Sequence, residues 1–241
     1  MYNLSALWSH RYYILTTVSL PLILFGCGEK KSNTFHDQNS ETIKVDTINT
    51  LDSNKLELTK AYCQKYYGFS KYTLDTPKMI VVHFTAIPTL EETVALFKQD
   101  HLAGNRTYIN KFSALNVGIH YVVDKDGSIY NLTPDSVITR HVIGFNHVSI
   151  GIENVAGNSS ELTPEQLESD KKLIQYLYKK HPDIQYLIGH HEYNRVDYPH
   201  YSLFKSLDKN YMPYDKPDPG DNFMKSLRSQ LIDSYGLEFK K

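Results

Sequence analysis

Four apolar residues in a row, Met79-Ile80-Val81-Val82, run directly into a histidine, His83. The run is β-branched at its centre and lacks the apolar–polar alternation of a half-exposed strand, so it reads as a strand buried on both faces. Such a strand needs cover on each side, and the chain has helices to give it. Thr89 and Glu92 form a capping box that opens a helix to about His101, with Leu90, Val94 and Phe97 on its inner face. Thr163-Pro164-Glu165-Gln166 is a second helix start, and Leu167, Ile174, Leu177 and Tyr178 mark its buried stripe through Lys180. A third helix over 222–234 buries Phe223, Leu227 and Leu231. Further strands are expected at 119–123 and 128–132, joined by the turn Asp124-Lys125-Asp126-Gly127, at 149–153 and at 186–190. Strands alternating with helices predict an α/β fold, a mixed central β-sheet flanked by helices.

A chain of 241 residues holds one domain of about 150–200 residues with a full core, plus accessories. Arg11 is followed by a mostly apolar run over 12–25, broken by Pro21, too short to span a bilayer well. It ends in Leu24-Phe25-Gly26-Cys27, which resembles a bacterial lipoprotein signal in which the cysteine is lipidated. A plain secretory signal is the alternative, and either exports the protein. Residues 28–53 are polar and poor in large apolar side chains, the composition of a flexible tether, with the folded domain over 54–241. Gly28 is not the aspartate that retains many lipoproteins at the inner membrane. The expected location is therefore the outer membrane, lipid-anchored and facing the periplasm. Lipidation of Cys27 leaves Cys63 unpaired, most simply a small buried residue in a helix over 56–67. A net charge of −1 offers no basic stripe and excludes nucleic acid as the main partner.

The residues with chemistry sit where strands end. His83 closes the first run, His190 closes Tyr186-Leu187-Ile188-Gly189-His190, and Asp218 lies in the stiff turn Lys216-Pro217-Asp218-Pro219-Gly220. Two imidazoles and a carboxylate, with a fourth position open to water, suit zinc. Glu153 ends the apolar strand Ile150-Gly151-Ile152-Glu153, where a carboxylate can serve as general base, and Lys216 can clamp an oxyanion. Plainer readings stand beside these. Lys216 with Asp218, or Glu153 with a basic partner, would make buried salt bridges, and His200 or Asp197 competes with Asp218 as third ligand. His120 reads as a satisfied core histidine and His191 as structural, pointing away from His190 if strand alternation persists.

At six places the chain resembles the zinc-dependent N-acetylmuramoyl-L-alanine amidases, whose fold is shared by phage lysozyme-type amidases and animal peptidoglycan-recognition proteins. The motifs are Val82-His83-Phe84-Thr85-Ala86, Gly118-Ile119-His120-Tyr121, Asp126-Gly127-Ser128-Ile129-Tyr130, the stretch from Gly144-Phe145-Asn146-His147 through Glu153, Gly189-His190, and Lys216-Pro217-Asp218-Pro219-Gly220. Together they cover about 77–228. The resemblance implies that His83, His190 and Asp218 are zinc ligands, Glu153 the base and Lys216 the transition-state stabiliser. It also places His141 and Asn146 toward the substrate. Two departures stand out. Ile119 occupies the position where some members carry a catalytic tyrosine, which points to the branch that uses a glutamate. His190 and Asp218 are also separated by a longer loop than usual.

The function expected is zinc-dependent hydrolysis of the amide between N-acetylmuramic acid and L-alanine in peptidoglycan, by a monomer. The rivals are a non-catalytic peptidoglycan-binding lipoprotein and a zinc hydrolase of another amide, such as an N-acetyl group. Tyr201, Tyr211 and Tyr214 of the long loop either stack on sugar rings or pack the loop down.

Overall fold

The computed structural model describes residues 32–35, 43–102, 104 and 106–241. The expected signal, Cys27 and much of the expected tether lie outside the described residues. The chain builds a seven-stranded mixed sheet in the order β1-β2-β5-β4-β6-β3-β7. The strands are β1 (Ser32–Phe35), β2 (Ile43–Thr47), β3 (Met79–Phe84), β4 (Tyr121–Val123), β5 (Ile129–Asn131), β6 (Ser149–Asn154) and β7 (Tyr186–Gly189). Among the described residues five α-helices accompany them: α1 (Ser53–Tyr67), α2 (Leu90–Lys98), α3 (Thr107–Asn110), α4 (Pro164–Lys180) and α5 (Asp221–Tyr235).

The apolar run that ends in His83 becomes β3, flanked by parallel β6 and β7 and wholly buried up to His83. Its pleat divides its side chains. Ile80 and Val82 join Leu173, Ile174 and Leu177 of α4 and Leu227 and Leu231 of α5 in one apolar cluster. Met79 and Val81 join Phe145, Ile188 and Tyr193 in another. His83, next in the odd series, therefore faces the second side. The sheet meets the expected class, α/β with helix cover, as parallel strands buried on both faces require.

Several boundaries differ from expectation. The domain begins before residue 54: β2 runs parallel to β5, pairing Val45 with Ile129, and buries Ile43 and Val45. Ile43-Lys44-Val45-Asp46 alternates with period two, a signal hidden by the polar composition around it. In α4 the buried positions are Gln166, Asp170, Leu173, Ile174 and Leu177, and Tyr178 lies at the surface against Phe239. Two of the stripe's positions are polar, which shifts its apparent centre when only apolar residues are counted. In α5 Met224 is fully buried and Phe223 only partly. The α2 helix stops at Lys98, short of His101. Cys63 is buried in α1, and burial pushes its thiol up to about 12. Among the described residues no helix is long and apolar enough to cross a membrane.

Candidate active site

Three neighbouring parallel strands deliver three of the expected residues to one place. Val82 of β3 pairs with Ile152 of β6 and with Gly189 of β7. The residues that follow these three are His83, Glu153 and His190, at the carboxyl end of the sheet where open α/β folds place their ligands. After Gly189 the chain turns into a 3₁₀ turn, His190–Glu192, so strand alternation ends there.

That turn fastens the loop carrying Asp218. The His191 amide donates to the Asp218 carbonyl at 2.8 Å, and His191 Nδ1 donates to the same oxygen at 3.2 Å. Its Nε2 lies 3.1 Å from the Asp221 carboxylate at the start of α5. Beneath it, Glu192 accepts from the Gly189 amide at 2.9 Å and is gripped by Arg228 of α5, Nη1 to Oε1 at 3.1 Å. The result is a fixed approach: Asp218 Oδ2 lies 3.1 Å from His83 Nδ1 and 2.9 Å from His190 Nδ1. One ligand atom from each residue lies within 4.8 Å of the others, and all three residues are buried.

Electrostatics sharpen this cluster. Burial lowers His190 to about 4, against the opposing pull of Asp218, so its ring is neutral. Burial alone would raise Asp218, but the His190 and His83 rings beside it hold its carboxyl well below the usual range. Two imidazole nitrogens and an anionic oxygen turned toward one point are the donor set of a divalent transition metal. The residues present fit such an ion.

Glu153 lies beside His83 with its Oε2 buried and without a hydrogen-bond partner. Burial pushes it up to about 7; Asp218 adds to the rise, while His83, Arg106 and Lys216 oppose it. An orphaned carboxylate oxygen poised near neutrality can accept a proton and return it. Lys216 donates from Nζ to the Tyr214 hydroxyl, and its nitrogen lies 4.1 Å from the centre of that ring. All these groups line one cleft of about 440 Å³, with Phe97, Tyr108, Tyr211 and Tyr214 also on its walls.

The remaining candidates divide. His141 lines the cleft, with Nδ1 3.0 Å from His83 Nε2 and Nε2 3.2 Å from Ser149 Oγ. Asn146 does not reach the cleft, which corrects its expected place at the substrate. It is fully buried, its Oδ1 accepts from the His141 and Val142 amides at 3.0 and 2.7 Å, and its Nδ2 donates to Tyr62 at 2.8 Å. Its hydrogen-bonding capacity is spent on shaping the loop. His120 is a satisfied core histidine: its ring donates to the Val137 carbonyl at 2.8 Å and accepts from the Gly151 amide at 3.0 Å. His200 packs against Phe145, and Asp197 is exposed and paired with Arg195, so neither rival ligand joins the cluster. Tyr201 stacks on Phe204 and packs the loop down, whereas Tyr214 and the largely buried Tyr211 line the cleft.

Arg106 and Arg140 were not evident beforehand. Arg140 donates to the Ser113 and Leu115 carbonyls at 2.8 and 2.6 Å and holds the segment forming one wall. Neither lies in a periodic pattern or a paired motif that would mark it.

A buried carboxyl, a lysine and a two-histidine, one-carboxylate cluster in one cleft of an α/β sheet fit the class of hydrolases. The family follows from sequence. The profile of the N-acetylmuramoyl-L-alanine amidases, Amidase_2, matches residues 73–221, and the chain belongs to that family. The endolysin of Escherichia phage T7 is 29% identical over 102 residues, 40% of this chain and 67% of the phage protein. The endolysin of Klebsiella phage KP32 is 26% identical over 106 residues, with the same coverages of 40% and 67%. Among solved structures, the amidase LysC of Clostridium intestinale URNW aligns over 66% of this chain and 89% of its own, with 24% identity and a TM-score of 0.45. Drosophila PGRP-LB aligns over 68% and 84%, with 17% identity and a TM-score of 0.44.

Proposed function

We propose that this protein hydrolyses the amide joining N-acetylmuramic acid to L-alanine in peptidoglycan, with zinc held by His83, His190 and Asp218. The observation that carries the reading is the convergence of those three residues beside an unpartnered Glu153 oxygen and Lys216. When bound, zinc supplies Lewis-acid polarisation and acidifies water. Glu153 takes the proton of the attacking water as it adds to the lactyl carbonyl. Lys216 stabilises negative charge developing on the carbonyl oxygen. Glu153 then gives its proton to the departing L-alanine nitrogen, which leaves as an amine. The neighbouring strand ends hold base and cluster at a fixed separation.

A peptidoglycan-binding lipoprotein without catalysis would need neither Glu153 nor Lys216, and the complete set favours the enzyme. We place the enzyme outside the cytoplasm, anchored through a lipid on Cys27 at the outer membrane and facing the periplasm. Digests of purified peptidoglycan are expected to gain free L-alanine N-termini on intact stem peptides, with glycan strands uncut. Chelator should abolish this and zinc restore it. New reducing sugar ends, or acetate release without free peptides, would assign a different reaction.

A further inference from the structure

His83 has two ring nitrogens, and the structure gives each a separate task. Nδ1 lies 3.1 Å from the Asp218 carboxylate, while Nε2 lies 3.0 Å from His141 Nδ1, with the His83 and His141 rings at 86° to one another. A neutral imidazole carries one N–H and one lone pair. If Nδ1 is to lend its lone pair to a cation, the proton must sit on Nε2, and a buried N–H needs an acceptor. His141 Nδ1 is placed to be that acceptor, provided the His141 proton is on its own Nε2. There the ring meets Ser149, whose Oγ lies 3.2 Å from Nε2.

The seat of His141 is specific. It packs over Gly151 of β6, where an added Cβ would come 2.7 Å from the His141 ring. The loop behind it is fixed by Asn146, which accepts from the His141 amide. Ring orientation is therefore set by Ser149 on one side, bare backbone at 151 below, and His83 on the other side.

We propose that His141, oriented by Ser149, is a positioning residue of the metal site: it accepts the Nε2 proton of His83 and so keeps the Nδ1 lone pair turned to the cation. This rests on the zinc reading above. Metal-bound histidines commonly give their second N–H to a carboxylate, carbonyl or water, and loss of that partner costs about 10–100-fold in affinity. Here an imidazole fills the role.

The test is the zinc dissociation constant of the full chain, measured by competition with a chromophoric chelator. His141→Phe should weaken zinc about 10–100-fold, while the metal-free protein unfolds at the wild-type temperature. His141→Asn, whose amide oxygen falls near the lost Nδ1, should recover most of the affinity, and Ser149→Ala should lose part of it. In zinc-loaded wild type, ¹⁵N spectra should show His83 as the Nε2–H tautomer. Unchanged affinity in His141→Phe, or equal losses in the Phe and Asn variants, would overturn the proposal. So would an Nδ1–H tautomer at His83, even if the Phe variant fails to fold. A wild-type chain that takes up no zinc sinks the zinc reading itself, which separates the two failures.

Discussion

His83 and Glu153 stand directly side by side, paired in register on the parallel strands β3 and β6. In the proposed mechanism these are ligand and base, and they share one rigid support, so substitution of one should leave the other in place. Glu153→Gln should retain zinc and the fold and lose about 10²–10⁴-fold in turnover, the usual worth of a general base. The proton-accepting form is the carboxylate, present above its value of about 7. Activity should therefore rise with pH through about 7, and that limb should vanish in Glu153→Gln. An active Gln variant with an unchanged profile would remove Glu153 from the mechanism.

The His191 amide and ring both bond the Asp218 carbonyl and so hold the Asp218 loop beside the histidines. Bound metal should be about one zinc per chain, and His83→Ala or Asp218→Ala should lose it, since two ligands rarely suffice. Elemental analysis after dialysis decides this. Equal metal in variants and wild type would place the site elsewhere.

The site was legible in the sequence to the extent that it sits at strand ends. Apolar runs that stop at His83, Glu153 and His190 mark the carboxyl edge of a sheet, and parallel register then brings those residues together. Asp218 was legible from its stiff turn, but its nearness to His190 depends on a long loop whose path is tied by contacts such as Tyr193 with Tyr211 and with the Tyr214 amide. Asn146 misled because it lies inside a motif, and a motif does not separate a residue that meets ligand from one that shapes the loop. Strand β2 was hidden because only two of its side chains are buried.

Tyr214 sets the resting place of Lys216, accepting a hydrogen bond at its hydroxyl while its ring lies under the ammonium. Lys216→Ala should lower turnover about 10²–10³-fold, by analogy with loss of an oxyanion donor. Tyr214→Phe keeps the cation–π contact, worth about 0.5–2 kcal/mol, and loses only the acceptor. Its turnover should fall by less than that of Tyr214→Ala, with zinc content unchanged in both. Equal rates in wild type, Tyr214→Phe and Tyr214→Ala would show that Tyr214 does not position the lysine.

Cys27→Ser should release the protein from the membrane fraction, if a lipid on that cysteine is the anchor. Fractionation of cells expressing each form reads this directly. A serine variant that stays in the membranes would show that something other than Cys27 holds it.

Asp170 of α4 lies on the far side of β6, fully buried, and accepts from Asn154 Nδ2 at 2.9 Å. The same amide nitrogen reaches the His83 carbonyl at 3.2 Å, while Asp170 Oδ1 and Asn154 Oδ1 are left without partners. Burial pushes Asp170 up to about 7, from an unfolded value of 3.8, with the Asn154 hydrogen bond opposing the rise. A carboxyl raised in the folded state stabilises it fully below the unfolded value, and that contribution is lost as pH rises through about 7. The total is of the order of a few kcal/mol. Asp170→Asn keeps the shape and the acceptor, removes the charge, and gives Asn154 Oδ1 an N–H to accept. Metal-free wild type and variant should therefore be close in stability near pH 4. The variant's advantage should grow up to about pH 7 and stay level above it, as read from urea midpoints across that range. A difference that does not change with pH would mean that Asp170 does not titrate in the core.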